Sequence, residues 1–133
     1  RDLRARHNLG YWLGRDYVGL GIGAVSTVDG VRYRNLPSLG RYLAALGAGA
    51  SPSRELEVLD AGTRTRERLM LGLRLDEPLA LGSVADAVDR DAAERLAAGG
   101  LVELAADDDG PATVALTRRG RFLGGGVTVE LLA

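Results

Sequence analysis

The stretch "DYVGLGIGAVSTVDGVRYRN", residues 16–35, decides how the front of this chain is read. Asp29-Gly30 is a turn pair of the hairpin type, so the stretch predicts two short strands around it. Gly19, Gly21 and Gly23 mark backbone that bends or comes close to something else. Downstream, "PSLGRYLAAL" (37–46) predicts a helix, with Pro37 in its first turn and Leu39, Tyr42, Leu43 and Leu46 on one face. The run "GAGASPS" (47–53) then reads as a loop and as the internal boundary of the chain. Upstream, "RHNLGYW" (6–12) holds the only His and the only Trp of the chain, His7 and Trp12, with Tyr11 between them. A core strand wants Trp12 but rarely His7, Asn8 and Tyr11 beside it.

Composition separates the two ends. At 133 residues the chain suits one domain, or a small domain with an attached piece of another. Residues 1–42 carry seven Arg against three Asp, a surplus of four positive charges, together with all four Tyr. Residues 43–133 carry ten Arg against fifteen acids, a deficit of five. A basic, aromatic, Gly-rich front suits a planar or anionic ligand, and an acidic back suits an ordinary solvated domain. The absence of Lys reads as genome composition rather than function. With no Cys, disulfides, thiolate metal sites and a Cys nucleophile are excluded, which fits a reducing compartment. Apolar runs are short and broken by Arg or Gly, so no segment is expected to span a bilayer. The chain begins with Arg1, so we read it as a piece of a longer protein.

The second half predicts mostly helices. In "DAGTRTRERLMLGLRL" (60–75), Leu69, Met70 and Leu73 are expected inward, with Arg64, Arg66, Glu67 and Arg68 outward. "SVADAV" (83–88) opens with Ser83, and Asp86 three residues on makes a weak capping box. "DAAERLAAGG" (91–100) reads as a helix ended by Gly99-Gly100. "LVELA" and "ATVAL" form a hairpin, and "TRRGRFLGGGVTVELLA" a helix capped by Thr117 that kinks or ends at Gly124–Gly126. Three helices, a hairpin and a helix is a winged-helix order. DNA binding does not follow from it. The expected wing tip is Asp107, Asp108 and Asp109, and "DAAERLAAGG" offers one Arg against two acids with no Asn or Gln. The unit reads as a docking or capping domain.

Few chemistries remain. Gly19–Ser26 contains G-x-G but lacks the helix and distant acid of a dinucleotide fingerprint. A strand packed against other backbone is an equal reading of it. No Ser has a nucleophile-elbow setting, and one His without Cys makes a zinc site implausible. A single His can, however, ligate a metal already held by a macrocycle, given an aromatic wall and Arg for anionic groups. His7, Tyr11, Trp12, Tyr17, Arg4, Arg6 and Arg15 supply those types. Spacing alone favours a structural His7 and leaves both readings open.

In order along the chain, "RHNLGYW", "DYVGLGIGAVS", "RYRN", "RYLAAL", "RERLMLGLRL", "GLVEL" and "LTRRGRFL" resemble the C-terminal part of the HemW family. These are haem chaperones among the radical S-adenosylmethionine proteins, related to oxygen-independent coproporphyrinogen III oxidase. The specific parts are H-N-x-x-Y-W and the following G-x-G-x-G-A-x-S. The resemblance implies a mixed α/β or α+β fold, with terminal strands of a partial radical-enzyme barrel and a connecting helix over 1–50. A small helical, winged-helix-like C-terminal domain is implied over 51–133.

The resemblance also implies haem binding through His7, Asn8, Tyr11 and Trp12, with His7 the candidate iron ligand, exposed enough to release its cargo. It implies S-adenosylmethionine contact near Gly21, Gly23, Ala24 and Val25. Its implied partners are haem, a client haemoprotein and the remainder of the barrel, in the cytoplasm, with no membrane span and no nucleic acid. The 4Fe-4S cluster of such proteins needs a C-x-x-x-C-x-C motif that this chain lacks, so no catalytic residue is assigned and the chain alone is not expected to be catalytic. The two other readings are a fragment of a coproporphyrinogen III oxidase of porphyrin biosynthesis, and a winged-helix interaction or DNA-binding module.

Overall fold

The computed structural model describes residues 5–107 and 110–133. Arg4, Asp108 and Asp109, named above, lie outside the described residues. The chain forms two compact units: Arg15–Asp60, and the segment ending at Gly14 joined with Ala61–Ala133. It is mixed α/β with two small antiparallel sheets, and no closed barrel is present among the described residues.

The unit Arg15–Asp60 is a three-stranded sheet with one helix. Strands β1 (Val25–Val28) and β2 (Val31–Asn35) form the expected hairpin, with Val28 opposite Val31 across a two-residue turn. Asp29 and Gly30 both take positive φ, 51° and 75°, the requirement of a type I′ turn. The Asp29 N–H donates to Asp16 Oδ2 (3.1 Å). Tyr17 pairs with Thr27 through two backbone hydrogen bonds, so the chain entering the loop lies beside β1.

Helix α2 (Leu39–Gly47) begins after Ser38, one turn position later than Pro37 suggested. Its apolar stripe is present, but Leu39, Leu43 and Leu46 are exposed and only Tyr42 is half-buried. The loop 47–53 does not leave the unit. It returns the chain to β3 (Arg54–Glu57), which pairs antiparallel with β2. β3 escaped the sequence reading because all four of its residues are exposed and none alternates with a buried partner. Side chains on the sheet surface hold it instead: Arg54 lies 4.2 Å over the Tyr33 ring, and Arg32 pairs with Glu57 at 3.7 Å.

The other unit carries the hydrophobic core. Helix α1 (Arg6–Trp12) lies against α3 (Ala61–Gly72). α3 leads to the short strand β4 (Leu79–Ala80), a 3-10 segment at Leu81–Ala87, helix α4 (Arg90–Ala98) and the hairpin β5 (Val102–Asp107) and β6 (Gly110–Leu116). Helices α5 (Arg118–Phe122) and α6 (Gly124–Leu131) follow. The strand order is β4-β6-β5, with an irregularity at Ala105/Ala106. Leu69, Val84, Val114 and Leu131 are fully buried at its centre. Each such side chain contributes about 1.5–3 kcal/mol relative to exposure.

Local signals explain most of these elements, and correct three. Leu69 and Leu73 point inward as expected, but Met70 is 42% exposed, because α3 buries a narrower stripe than three apolar neighbours suggest. Ser83 is no N-cap: it sits inside the 3-10 segment and its hydroxyl donates to the Ala80 carbonyl (2.7 Å). The cap that forms is Asp89, whose carboxylate accepts from the Ala92 N–H (2.9 Å) and starts α4. Thr117 caps α5 as expected, accepting from the Gly120 N–H (2.9 Å). The closing helix breaks at Leu123, one residue before the glycine run, which then opens α6 rather than ending a helix.

Candidate functional site

Two groups of candidate residues lie in the two units, and each is built locally. The first is α1. In a helix, residues four apart share a face, so His7 stands one turn from Tyr11, and Asn8 one turn from Trp12. The His7 and Tyr11 rings meet edge to face, with centroids 4.9 Å apart and planes at 85°. His7 and Asn8 are exposed, Tyr11 is at the edge of exposure (36%) and Trp12 is half-buried. The His7 imidazole makes no hydrogen bond to another described residue, so its nitrogen lone pair is not already committed. Arg6 and Arg15 are exposed.

The second group is the loop before β1. Gly21 and Gly23 hold φ of 106° and 66°, conformations that side-chain-bearing residues rarely adopt. Gly19 is needed for space instead, because a Cβ there would collide with the Val25 carbonyl oxygen. Gly21, Gly23 and Ala24 are half-buried, while Val25 is 37% exposed. The Gly19 N–H donates to Ser26 Oγ (2.9 Å), and the Gly21 N–H donates to Tyr42 Oη (3.0 Å). Asn35 Nδ2 donates to the carbonyls of Gly21 (2.9 Å) and Gly19 (3.4 Å), and Arg34 Nε donates to that of Gly23 (3.3 Å).

No motif in the sequence gives Ser26 or Asn35 a role here. Both are polar and buried, at 0% and 4% exposure. The signal was present: each is a polar residue on a strand that adjoins a Gly run, at a position where a half-buried strand would place an apolar one. In the sequence Tyr42 stands only as one member of an apolar helix face. Among the described residues, no group of three or more His, Asp or Glu could hold a metal ion. Nor, among the described residues, is any helix long and apolar enough to cross a membrane.

No family model matches the chain. The protein named heme chaperone HemW of Mycobacterium tuberculosis is 34% identical over 127 residues, 96% of this chain. The chain is homologous to HemW. It spans 31% of the length of that relative. The protein of the same name from Lactococcus lactis is 37% identical over 70 residues, 53% of this chain and 18% of its own length. A solved structure of coproporphyrinogen III oxidase (HemN) from Escherichia coli, a radical SAM enzyme, shares the fold with a TM-score of 0.62. That likeness covers 87% of this chain and 28% of the oxidase chain at 20% identity. Together these fit a C-terminal HemW-type fragment.

Proposed function

We propose that this chain is the C-terminal region of a radical S-adenosylmethionine haem chaperone, and that α1 presents the haem ligand. The observation that carries the reading is the exposed His7 imidazole, uncommitted to any described hydrogen-bond partner and set one turn from Tyr11. Haem is cargo here. A single accessible imidazole binds iron without enclosing it, which suits a protein that must hand haem to a client haemoprotein. Tyr11 and Trp12 supply aromatic surface, Asn8 a polar group on the same short helix, and Arg6 a cation for the propionates.

Domain roles follow the same reading. Residues 1–50 come from the end of a partial barrel with its connecting helix, and residues 51–133 from a winged-helix-like cap, apart from β3, which completes the sheet of β1 and β2. In support, Leu20, Val31, Leu39, Leu43 and Leu56 are exposed apolar residues of the Arg15–Asp60 unit, surface of the kind a larger sheet would cover. The β5–β6 hairpin, which follows α3, the 3-10 segment and α4, supports the cap. Gly21, Gly23, Ala24 and Val25 would contact S-adenosylmethionine, whose approach the two positive-φ glycines leave open. The group supplies radical chemistry only with a 4Fe-4S cluster, and the Cys ligands for that are absent from this chain. The partners are therefore haem, a client haemoprotein and the remaining barrel, in the cytoplasm.

A hemin titration followed by visible absorption tests the haem assignment. The reading expects a Soret shift that saturates near one haem per chain and weakens in His7→Ala. Equal titrations of the two proteins would remove His7 from the role.

A further inference from the structure

The loop Gly19–Val25 is held by two side chains that no sequence motif singled out for it. Asn35, at the end of β2, grips it through both backbone and side chain. Its N–H donates to the Ala24 carbonyl (2.9 Å) and its carbonyl accepts from the Gly23 N–H (3.0 Å). Its carboxamide Nδ2 bridges the carbonyls of Gly19 and Gly21. Two acceptors on one nitrogen fix the amide orientation, because the flipped amide would face Oδ1 against two carbonyl oxygens. Oδ1 is then buried with no partner among the described residues. An apolar residue would avoid that unmet acceptor but could not hold either carbonyl. From α2, Tyr42 Oη takes the Gly21 N–H. Both backbone polar groups of Gly21 are thereby held by these two side chains, its carbonyl also accepting from the Ala24 N–H (3.4 Å).

We propose that Asn35 and Tyr42 are positioning residues, which keep the Gly19–Val25 loop in the shape that receives its ligand. The proposal rests on the reading of Gly21–Val25 as an S-adenosylmethionine contact and adds what preorganises it. A Gly-rich loop is the segment with most conformational freedom to lose on binding. Tying its carbonyls and the Gly21 amide beforehand removes that loss from the binding step. Val25 remains exposed at the exit of the loop, available to a ligand.

The test compares wild type, Tyr42→Phe and Asn35→Leu in the full-length natural protein. Amide hydrogen exchange at Gly21 is read together with the affinity for S-adenosylhomocysteine by calorimetric titration. Tyr42→Phe keeps the ring and removes only the acceptor. Gly21 exchange should quicken about 3- to 10-fold and affinity fall by a similar factor, the loss of one hydrogen bond. Thermal stability should stay within about 2 °C of wild type, which a general structural defect would not allow. Asn35→Leu should lose more affinity, and Tyr42→Phe decides the matter if Asn35→Leu fails to fold. Unchanged Gly21 exchange in Tyr42→Phe would overturn the latch itself. Faster exchange with unchanged affinity would overturn the positioning role. Wild type that takes no S-adenosylhomocysteine, with faster exchange still seen in the variant, would instead refute the cofactor reading beneath the proposal.

Discussion

Gly19→Ala should open the loop before β1 more than any other single methyl group placed there. The added Cβ collides with the Val25 carbonyl oxygen and sits 3.0 Å from both Ala24 Cβ and Val25 C, all within a few residues of one turn. Backbone cannot yield as a flexible side chain does. Overpacking of this kind costs about 1–3 kcal/mol. Any movement that relieves it also draws the Gly19 N–H from Ser26 Oγ, leaving a fully buried hydroxyl without its partner. That loss adds about 1–3 kcal/mol. Restriction of the unfolded chain by Ala offsets about 0.4–1 kcal/mol. The net is about 1–5.6 kcal/mol, or roughly a 5- to 10,000-fold increase in opening. Native-state amide exchange reads it directly at Gly23 and Asn35, whose N–H groups close the loop onto the Asn35 and Ala24 carbonyls. Exchange at both amides within threefold of wild type would refute the close-approach argument.

Two other substitutions probe the second unit. Thr117→Ala removes the acceptor of the Gly120 N–H and the donor to the Gly100 carbonyl (2.8 Å), so urea unfolding should show a loss of about 1–2 kcal/mol. An unchanged midpoint would mean that α5 does not need its cap. Gly10→Ala lies in α1, where a Cβ meets nothing within 4 Å, and should stabilise that helix by up to about 1 kcal/mol. Thermal unfolding should register the gain and hemin affinity should not fall; a lower affinity would mean that haem approaches the Gly10 backbone.

Where chemistry was local, the sequence announced it. Asp29-Gly30 could hardly be anything but a tight hairpin turn, Thr117 capped a helix, and Gly99-Gly100 ended one. What escaped depended on distant partners. β3 is exposed throughout and exists because β2 offers it an edge, which no pattern in "RELE" discloses. Ser83 is the cap the sequence offers, and only the backbone path shows that Asp89 is the residue that accepts from a free N–H. Met70 looked like core because apolar residues surround it, yet the direction in which α3 buries its stripe is set by the Leu79 and Val84 side of the unit. At the candidate sites, His7, Tyr11 and the glycines were visible as residue types. Asn35 and Ser26 left only a faint signal, a polar residue at a strand position, because their importance lies in bonds to backbone atoms up to sixteen positions away.

The central claim, that haem sits on α1, is tested most directly by two-dimensional NMR of the chain with one equivalent of hemin. Ferric iron broadens the signals of nuclei close to it. Broadening centred on His7, Asn8, Tyr11 and Trp12, and abolished by His7→Ala, is the predicted result. Broadening centred elsewhere, or a pattern that His7→Ala leaves in place, would contradict it.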